Sequence, residues 1–273
     1  MRSMRFAEET FKHALLAILA FIALIPLVWM LSVSLRPPEE AFGHLFAITR
    51  VDWHGYVKAF TAIPFFRWLS NSLQIGVTQT LGELFIGVSA AFAFAYYRFP
   101  GRDALFVFVL MTMMIPMQVT MVPTYLIVSK LNLLDTLAGV VVPHMASGFV
   151  IFLLRQTFLT VPKELAEAAT IDGCGSFRVL WHVYVRLSGT MIWTLAIVVF
   201  LQSYNEFNWP LLVLTDPERM PLPLAVQYFQ AETNKNWTAA MAVATMSMVP
   251  VMLLYLVAQK HMIQSFTQSG LKG

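Results

Sequence analysis

Long apolar runs separated by short polar segments dominate the chain. Six of them approach or exceed the roughly 20 residues that a helix needs to cross a hydrocarbon core about 30 Å thick. They cover approximately 14–34, 68–97, 104–127, 137–154, 191–214 and 238–258. In lipid the backbone must satisfy its own hydrogen bonds, so each run is expected to be a helix. The alternating pattern of a transmembrane barrel is absent. The expected fold is therefore all-α and polytopic, with six transmembrane helices. The expected organisation is an N-terminal segment 1–13, one membrane domain over 14–258 and a tail 259–273.

The first run is not read as a cleaved leader. It is longer than the usual 7–15-residue apolar region of a signal peptide. Arg36-Pro37-Pro38 follows it, rather than a small-residue cleavage site. It is expected to remain as a span.

Composition agrees with the pattern. Of 273 residues, 58% are hydrophobic and 12% charged, against about 45–50% and 25% in soluble domains. Cys174 is the sole cysteine, which excludes an intrachain disulfide and a cysteine-based zinc site. No basic patch interleaved with aromatics suggests nucleic acid. With the N-terminus inside, the inner segments hold 11 of the 18 Lys and Arg residues. The positive-inside rule then puts both termini in the cytoplasm and the chain in the cell membrane as a multi-pass protein.

The sequence offers no chemistry of its own. It contains no Gly-Lys dipeptide, so it has no phosphate-binding P-loop. It has no H-E-x-x-H and no G-x-S-x-G. Only Glu83 and Glu206 are acids within the runs, and nothing in their spacing makes them face each other. An intramembrane enzyme is disfavoured by this lack of paired groups. The chain reads as a membrane component driven by a partner.

The longest inner loop, 155–188, carries the most information. Pro162 suits the start of a helix, and Glu164, Glu167, Ala168 and Ala169 are good helix formers. Gly173 and Gly175 break the run and permit unusual backbone angles. Phe177, Leu180, Trp181 and Tyr184 then recur at helical spacing, as one apolar face. A helix–turn–helix of this kind either lies on the membrane surface or docks a cytosolic partner.

Glu167-Ala168-Ala169-x-x-Asp172-Gly173 resembles the EAA loop of ABC importer permeases. Similarity to that family extends over most of the chain. It includes Asn71-Ser72-Leu73, Arg98-Phe99-Pro100-Gly101, Ile115-Pro116-Met117-Gln118-Val119-Thr120, Phe152-Leu153-Leu154-Arg155-Gln156 and Tyr204-Asn205-Glu206-Phe207-Asn208-Trp209-Pro210-Leu211. The terminal Gly270-Leu271-Lys272-Gly273 is also similar. The ordered set resembles the carbohydrate-uptake branch, and within it the maltose-type second permease. Arg186 and Thr190 stand where that family often has prolines, and their presence predicts a more continuous helix into the fifth run.

The resemblance implies a heterodimer with a second permease chain, two cytosolic ATPase subunits and an extracytoplasmic solute-binding protein. ATP and Mg would be bound by the ATPase partners, with no cofactor, metal or catalytic site on this chain. It also implies that Glu167, Ala168, Ala169, Asp172 and Gly173 form the ATPase-coupling core, and that the outer loop 215–237 is a candidate contact for the binding protein. Asn205, Glu206, Asn208, Glu83 and Gln118 are candidates for a carbohydrate path, since amides and carboxylates suit sugar hydroxyls. Tyr204 and Trp209 are candidates to stack on sugar rings. Capping and packing are the alternative for the 204–209 segment. For Glu83 the alternatives are a role at the subunit interface, a pairing with His144, or proton coupling in a secondary transporter. The last would leave the loop motif unexplained. A polyol phosphate is the rival solute class.

Overall fold

A computed structural model describes residues 2–43, 50–231 and 236–270. The family-like ending at Leu271–Gly273, and parts of the two long outer loops, lie outside these. The described residues form helices and no strand. The order is α1 (Arg2–Ser34), α2 (His54–Ala62), α3 (Phe65–Tyr96), α4 (Arg102–Thr112), α5 (Met117–Lys130), α6 (Leu137–Val141), α7 (Gly148–Leu159), α8 (Lys163–Ile171), α9 (Ser176–Val179), a π-helical turn (Leu180–Val185), α10 (Gly189–Tyr204), α11 (Asn208–Val213), α12 (Leu224–Ala231) and α13 (Trp237–Gly270).

Three stretches are long and apolar enough to cross a membrane unbroken: Glu9–Ser34, Phe65–Tyr96 and Trp237–Val257. Three more are bent pairs, and the number reaches six if each pair is one span. Chain chemistry explains the bends. α4 and α5 meet at 99°, where Pro116 caps α5 and disfavours helical geometry at Ile115. The expected straight run over 104–127 is therefore broken. The fourth run bends by 45° around Pro143, and the Ser147 hydroxyl oxygen accepts the Val150 N–H at 3.5 Å to restart the helix. The fifth run stops at Tyr204, because Pro210 has no N–H to offer the Glu206 carbonyl and its ring would clash there. The chain restarts as α11.

One further expectation fails. Without prolines at 186 and 190 the entry to α10 was expected to be continuous, yet the segment Ser176–Val185 meets α10 at 84°. The π-helical turn and the break at Ser188-Gly189 produce the bend instead, as such turns commonly do.

The chain divides into two compact units. The first comprises 1–65 and 224–249. In it α2 lies against the start of α13 so closely that a Cβ on Gly55 would stand 2.8 Å from the Thr238 carbonyl oxygen. Asn236 caps α13 by accepting the Ala239 N–H at 2.9 Å. Arg36 is buried, with its guanidinium donating to Ser32 Oγ at 2.6 Å.

The second unit, 66–223 with 250–273, contains every candidate residue. The first turns of α3 are tied to the loop after α11 by one helix face. Trp68 Nε1 donates to the Pro217 carbonyl at 2.6 Å, and Asn71 Nδ2 donates to the Glu218 and Met220 carbonyls at 3.0 Å each. Ser72 Oγ accepts the Leu222 N–H at 2.7 Å. Asp135 pins the same loop. Its carboxylate accepts Thr215 N–H at 2.5 Å, Thr215 O–H at 2.6 Å and Asp216 N–H at 2.9 Å. Its backbone has φ +54°, a conformation that Asp tolerates better than most residues.

The Thr215 hydroxyl and the two backbone amides hold the Asp135 carboxyl below its ordinary value. A lowered carboxyl contributes stability that is present above the ordinary Asp pKa of about 3.9 and is lost as pH falls through the lower folded value. Asp135→Asn is expected to remove that acid-side loss from thermal unfolding curves in detergent. Asp135→Ala, which also strains the positive φ, is expected to lower the Tm at every pH.

Candidate functional site: the coupling segment and an intramembrane chamber

The segment after α7 folds as the helix–turn–helix expected of it. α8 ends in a Schellman motif: Cys174 N–H reaches the Ala169 carbonyl at 2.9 Å, and Gly173 N–H reaches the Thr170 carbonyl at 3.0 Å. Asp172 is the C-cap, and Gly173 takes the left-handed position with φ +80°. A Cβ at Gly173 would touch nothing within 4 Å, so glycine is required there by backbone angle and not by crowding.

The back of this segment is packed and its front is open. Ala166 is 2% exposed and joins a core with Val88, Phe92, Leu154, Val179 and Tyr184. The Tyr184 ring stands edge-on to Phe92 at 5.1 Å and to Phe158 at 5.3 Å. Glu167, Ala168, Asp172 and Gly173 are exposed, Ala169 is half-buried and Ile171 is 86% exposed. Glu167 and Asp172 side chains make no hydrogen bond or ion pair among the described residues. Cys174 is half-buried and packs against the same core.

Of the apolar face expected from Phe177, Leu180, Trp181 and Tyr184, the first three line one groove beside α3 while Tyr184 turns into the core. Leu180 and Tyr184 are buried, whereas Phe177 and Trp181 are 70% and 47% exposed. The π-helical turn changes the residues per turn, so the 3.6-residue repeat no longer gathers these four on one side.

Beside α8 lies a groove of about 900 Å³, between the tight turn 98–103 and the helix. Arg98, Arg102, Asp103, Lys163 and Glu167 contribute its charges. Arg102 Nε pairs with Asp103 at 3.0 Å. The Arg155 guanidinium packs 3.9 Å from the centroid of the Phe106 ring and donates to the Phe94 carbonyl at 3.5 Å.

The path candidates separate into two groups. Glu83 and Glu206, which nothing in the sequence brought together, line one chamber of about 400 Å³ with Gln79, His144, Ser147 and Gln202. Glu83 is 7% exposed, and Gln79 Nε2 donates to its Oε1 at 2.9 Å. Glu206 Oε1 accepts the N–H groups of Asn208 and Trp209 at 2.8 and 3.2 Å, so it caps α11. His144 Nδ1 lies 3.2 Å from the Val140 carbonyl, and its ring stands edge-on to Trp209.

Asn205, Asn208 and Gln118 are exposed and do not line this chamber. The Asn205 amide is turned back onto the Leu201 carbonyl at 2.8 Å. Tyr204 and Trp209, expected as stacking platforms, are each 1% exposed. Tyr204 stacks on Phe200, and Trp209 Nε1 donates to the Gly139 carbonyl at 3.1 Å. Tyr204 does not line the chamber, whereas Trp209 does. Sequence spacing gave no warning that Tyr204 ends α10 packed on Phe200. Gln79 and Gln202 complete the chamber. Gln79 stands one helical turn before Glu83, the one signal that could have marked it.

Residues 83–268 match the family described as binding-protein-dependent transport system inner membrane component. The chain belongs to this family. Its relatives include the arabinooligosaccharides transport system permease protein AraQ of Halalkalibacterium halodurans, 31% identical over 94% of both chains. AraQ of Bacillus subtilis is 30% identical over 93% of this chain and 92% of that one. The sn-glycerol-3-phosphate transport system permease protein UgpE of Yersinia pestis is 29% identical over 96% of both. The fold is that of a chain in a crystal structure of a bacterial ABC transporter involved in import of the acidic polysaccharide alginate. That likeness has a TM-score of 0.81 at 24% identity, covering 95% of this chain and 98% of that one. This member of the family thus presents the Glu167–Gly173 segment on an exposed helix end closed by a Schellman motif.

Gly173→Ala is expected to destabilise the end of α8 by about 1–2 kcal/mol, the cost of a side chain in the left-handed region. Hydrogen exchange should then accelerate over 168–174. Gly175, at φ −70°, should accept alanine with no such change.

Proposed function

We propose that this chain is the permease subunit of an ATP-driven importer, forming with a second permease the translocation path for a carbohydrate delivered by an extracytoplasmic binding protein. Two cytosolic ATPase subunits bind ATP and Mg and supply the energy. The chain crosses the membrane six times with both termini in the cytoplasm, the bent pairs α4–α5 and α6–α7 each making one span and α10 carrying the fifth. The loop 155–188 stands on the cytoplasmic side as the coupling element.

The observation that carries this reading is the two-sided coupling segment. Its back is buried in the bundle, while Glu167, Ala168 and Asp172 face outward without partners of their own among the described residues. Small Ala168 lets a partner surface approach closely, and the free carboxylates can pair with basic groups on it. Closing of the ATPase pair would push on α8 and, through Ala166 and Tyr184, on α3, α7 and α10. Such a push shifts the permease between inward- and outward-open states only if the partner binds them with different affinity.

A carbohydrate is preferred as solute because two of the relatives named above serve arabinooligosaccharides. The glycerol phosphate relative supports a polyol phosphate as the second reading. A proton-coupled transporter built on Glu83 would leave the exposed motif without a use.

Gentle detergent extraction of the tagged chain, followed by mass spectrometry, is expected to recover a P-loop ATPase and a second polytopic chain. Recovery of the chain alone or as a homo-oligomer would overturn the proposal. Gly173→Asp is expected to leave the assembly intact, since Asp is among the residues better tolerated at positive φ. ATP hydrolysis should then continue while uptake falls by about 5–150-fold, the loss expected for a coupling energy of about 1–3 kcal/mol. Normal uptake by this variant would sink the coupling assignment.

A further inference from the structure

The chamber around Glu83 carries an inference about charge, and it rests on the importer reading only for the identity of the travelling solute. Its polar wall comprises Gln79, Glu83, His144, Ser147, Gln202, Ser203 and Glu206, and neither Lys nor Arg lines it. At about 400 Å³ it falls within the usual range of small-molecule sites, about 300–1,000 Å³.

Each carboxyl commits one oxygen: Glu83 Oε1 to Gln79, and Glu206 Oε1 to the α11 backbone. The second oxygen of each takes no hydrogen bond among the described residues, and the Gln202 amide has no partner there either. His144 donates its Nδ1–H to Val140, which leaves Nε2. The chamber therefore offers acceptors at the second carboxyl oxygens and donors at the Gln202 amide, the second Gln79 N–H and the Ser147 hydroxyl. Hydroxyl groups, which both donate and accept, satisfy this set.

A phosphate or uronate is different. Away from bulk water an anion must meet a cation or several donors. Here it would meet two carboxyl groups and no cation, and like charges repel. An acid in the middle of a span is also costly enough to suggest a task beyond packing.

We infer that this chamber is a charge filter that admits uncharged polyhydroxyl solutes and rejects anions, with Glu83 and Glu206 as its specificity-determining residues. Within the proposed function, this favours a neutral saccharide over a polyol phosphate or an acidic sugar.

The filter is tested on the chain itself. A thiol is introduced by Gln202→Cys in a Cys174→Ser background, which removes the native cysteine. The full-length protein, purified with whatever subunits accompany it and placed in lipid nanodiscs, is treated with methanethiosulfonates carrying an ammonium, a hydroxyl or a sulfonate group. Rates are referred to those with a free thiol at pH 8, above the ordinary histidine range of about 6.5. The hydroxyl and ammonium reagents are expected to react, with the sulfonate at least about tenfold slower than the hydroxyl reagent. Glu83→Gln combined with Glu206→Gln should close that gap, since Gln retains an oxygen for each existing hydrogen bond. Glu83→Gln alone should narrow it, which keeps the test open if the double variant does not fold. A sulfonate rate equal to the hydroxyl rate would overturn the inference. A gap unchanged in the Gln variants would overturn its assignment to these two residues. Failure of all three reagents would show that solutes do not reach the chamber. None of these outcomes depends on recovering an ATPase, so failure of the importer reading would be seen separately.

Discussion

Tyr184 meets Phe92 of α3 and Phe158 of α7 edge to face at 5.1 and 5.3 Å, and with Ala166 and Val179 it seals the segment after α7 against the bundle. The coupling account depends on this burial. A nine-residue helix such as α8 is too short to be stable in water alone. Its back face supplies the missing stability. Fully burying one large apolar side chain contributes about 1.5–3 kcal/mol, and several are buried here. Because that contact spans α3, α7 and α10, a force on the exposed front of α8 reaches three bundle helices without passing through a flexible hinge.

The same economy appears at the helix breaks. A membrane helix that stops must satisfy its freed backbone groups inside protein. Here each break near the chamber does so with a residue that also shapes it. Glu206 caps α11 while lining the chamber. Ser147 caps α7 and lines it too. Pro210 and Pro143 force the interruptions that make room. The polar chamber is thus a by-product of broken helices, and its chemistry is set by the capping residues that breaks require.

Much of this was legible in the chain. The apolar runs marked the three unbroken stretches of membrane length, and the EAA-like string marked the turn after α8, down to the glycine that its backbone angle favours. What stayed hidden follows from geometry that periodicity does not encode. The π-helical turn at 180–185 splits an apparent apolar face and bends the chain without proline. Packing at the end of α10 and within α11 buries Tyr204 and Trp209, which the sequence had offered as stacking platforms for sugar rings. The meeting of Glu83 and Glu206 joins α3 to the break before α11, more than a hundred residues later in the chain, and no local pattern announces it. The tie of Asn71 and Ser72 to the loop after α11 likewise depends on tertiary contact.

The central claim is that the exposed front of α8 and its turn is a docking surface. A photo-reactive amino acid at Ile171, the 86%-exposed residue at the tip of α8, tests it most directly in intact membranes. The account predicts an ultraviolet-dependent cross-link from this position to a cytosolic ATPase subunit, and none from the same probe placed at the outer residue Thr215. Cross-links from Ile171 to lipid alone, or to no protein at all, would contradict it.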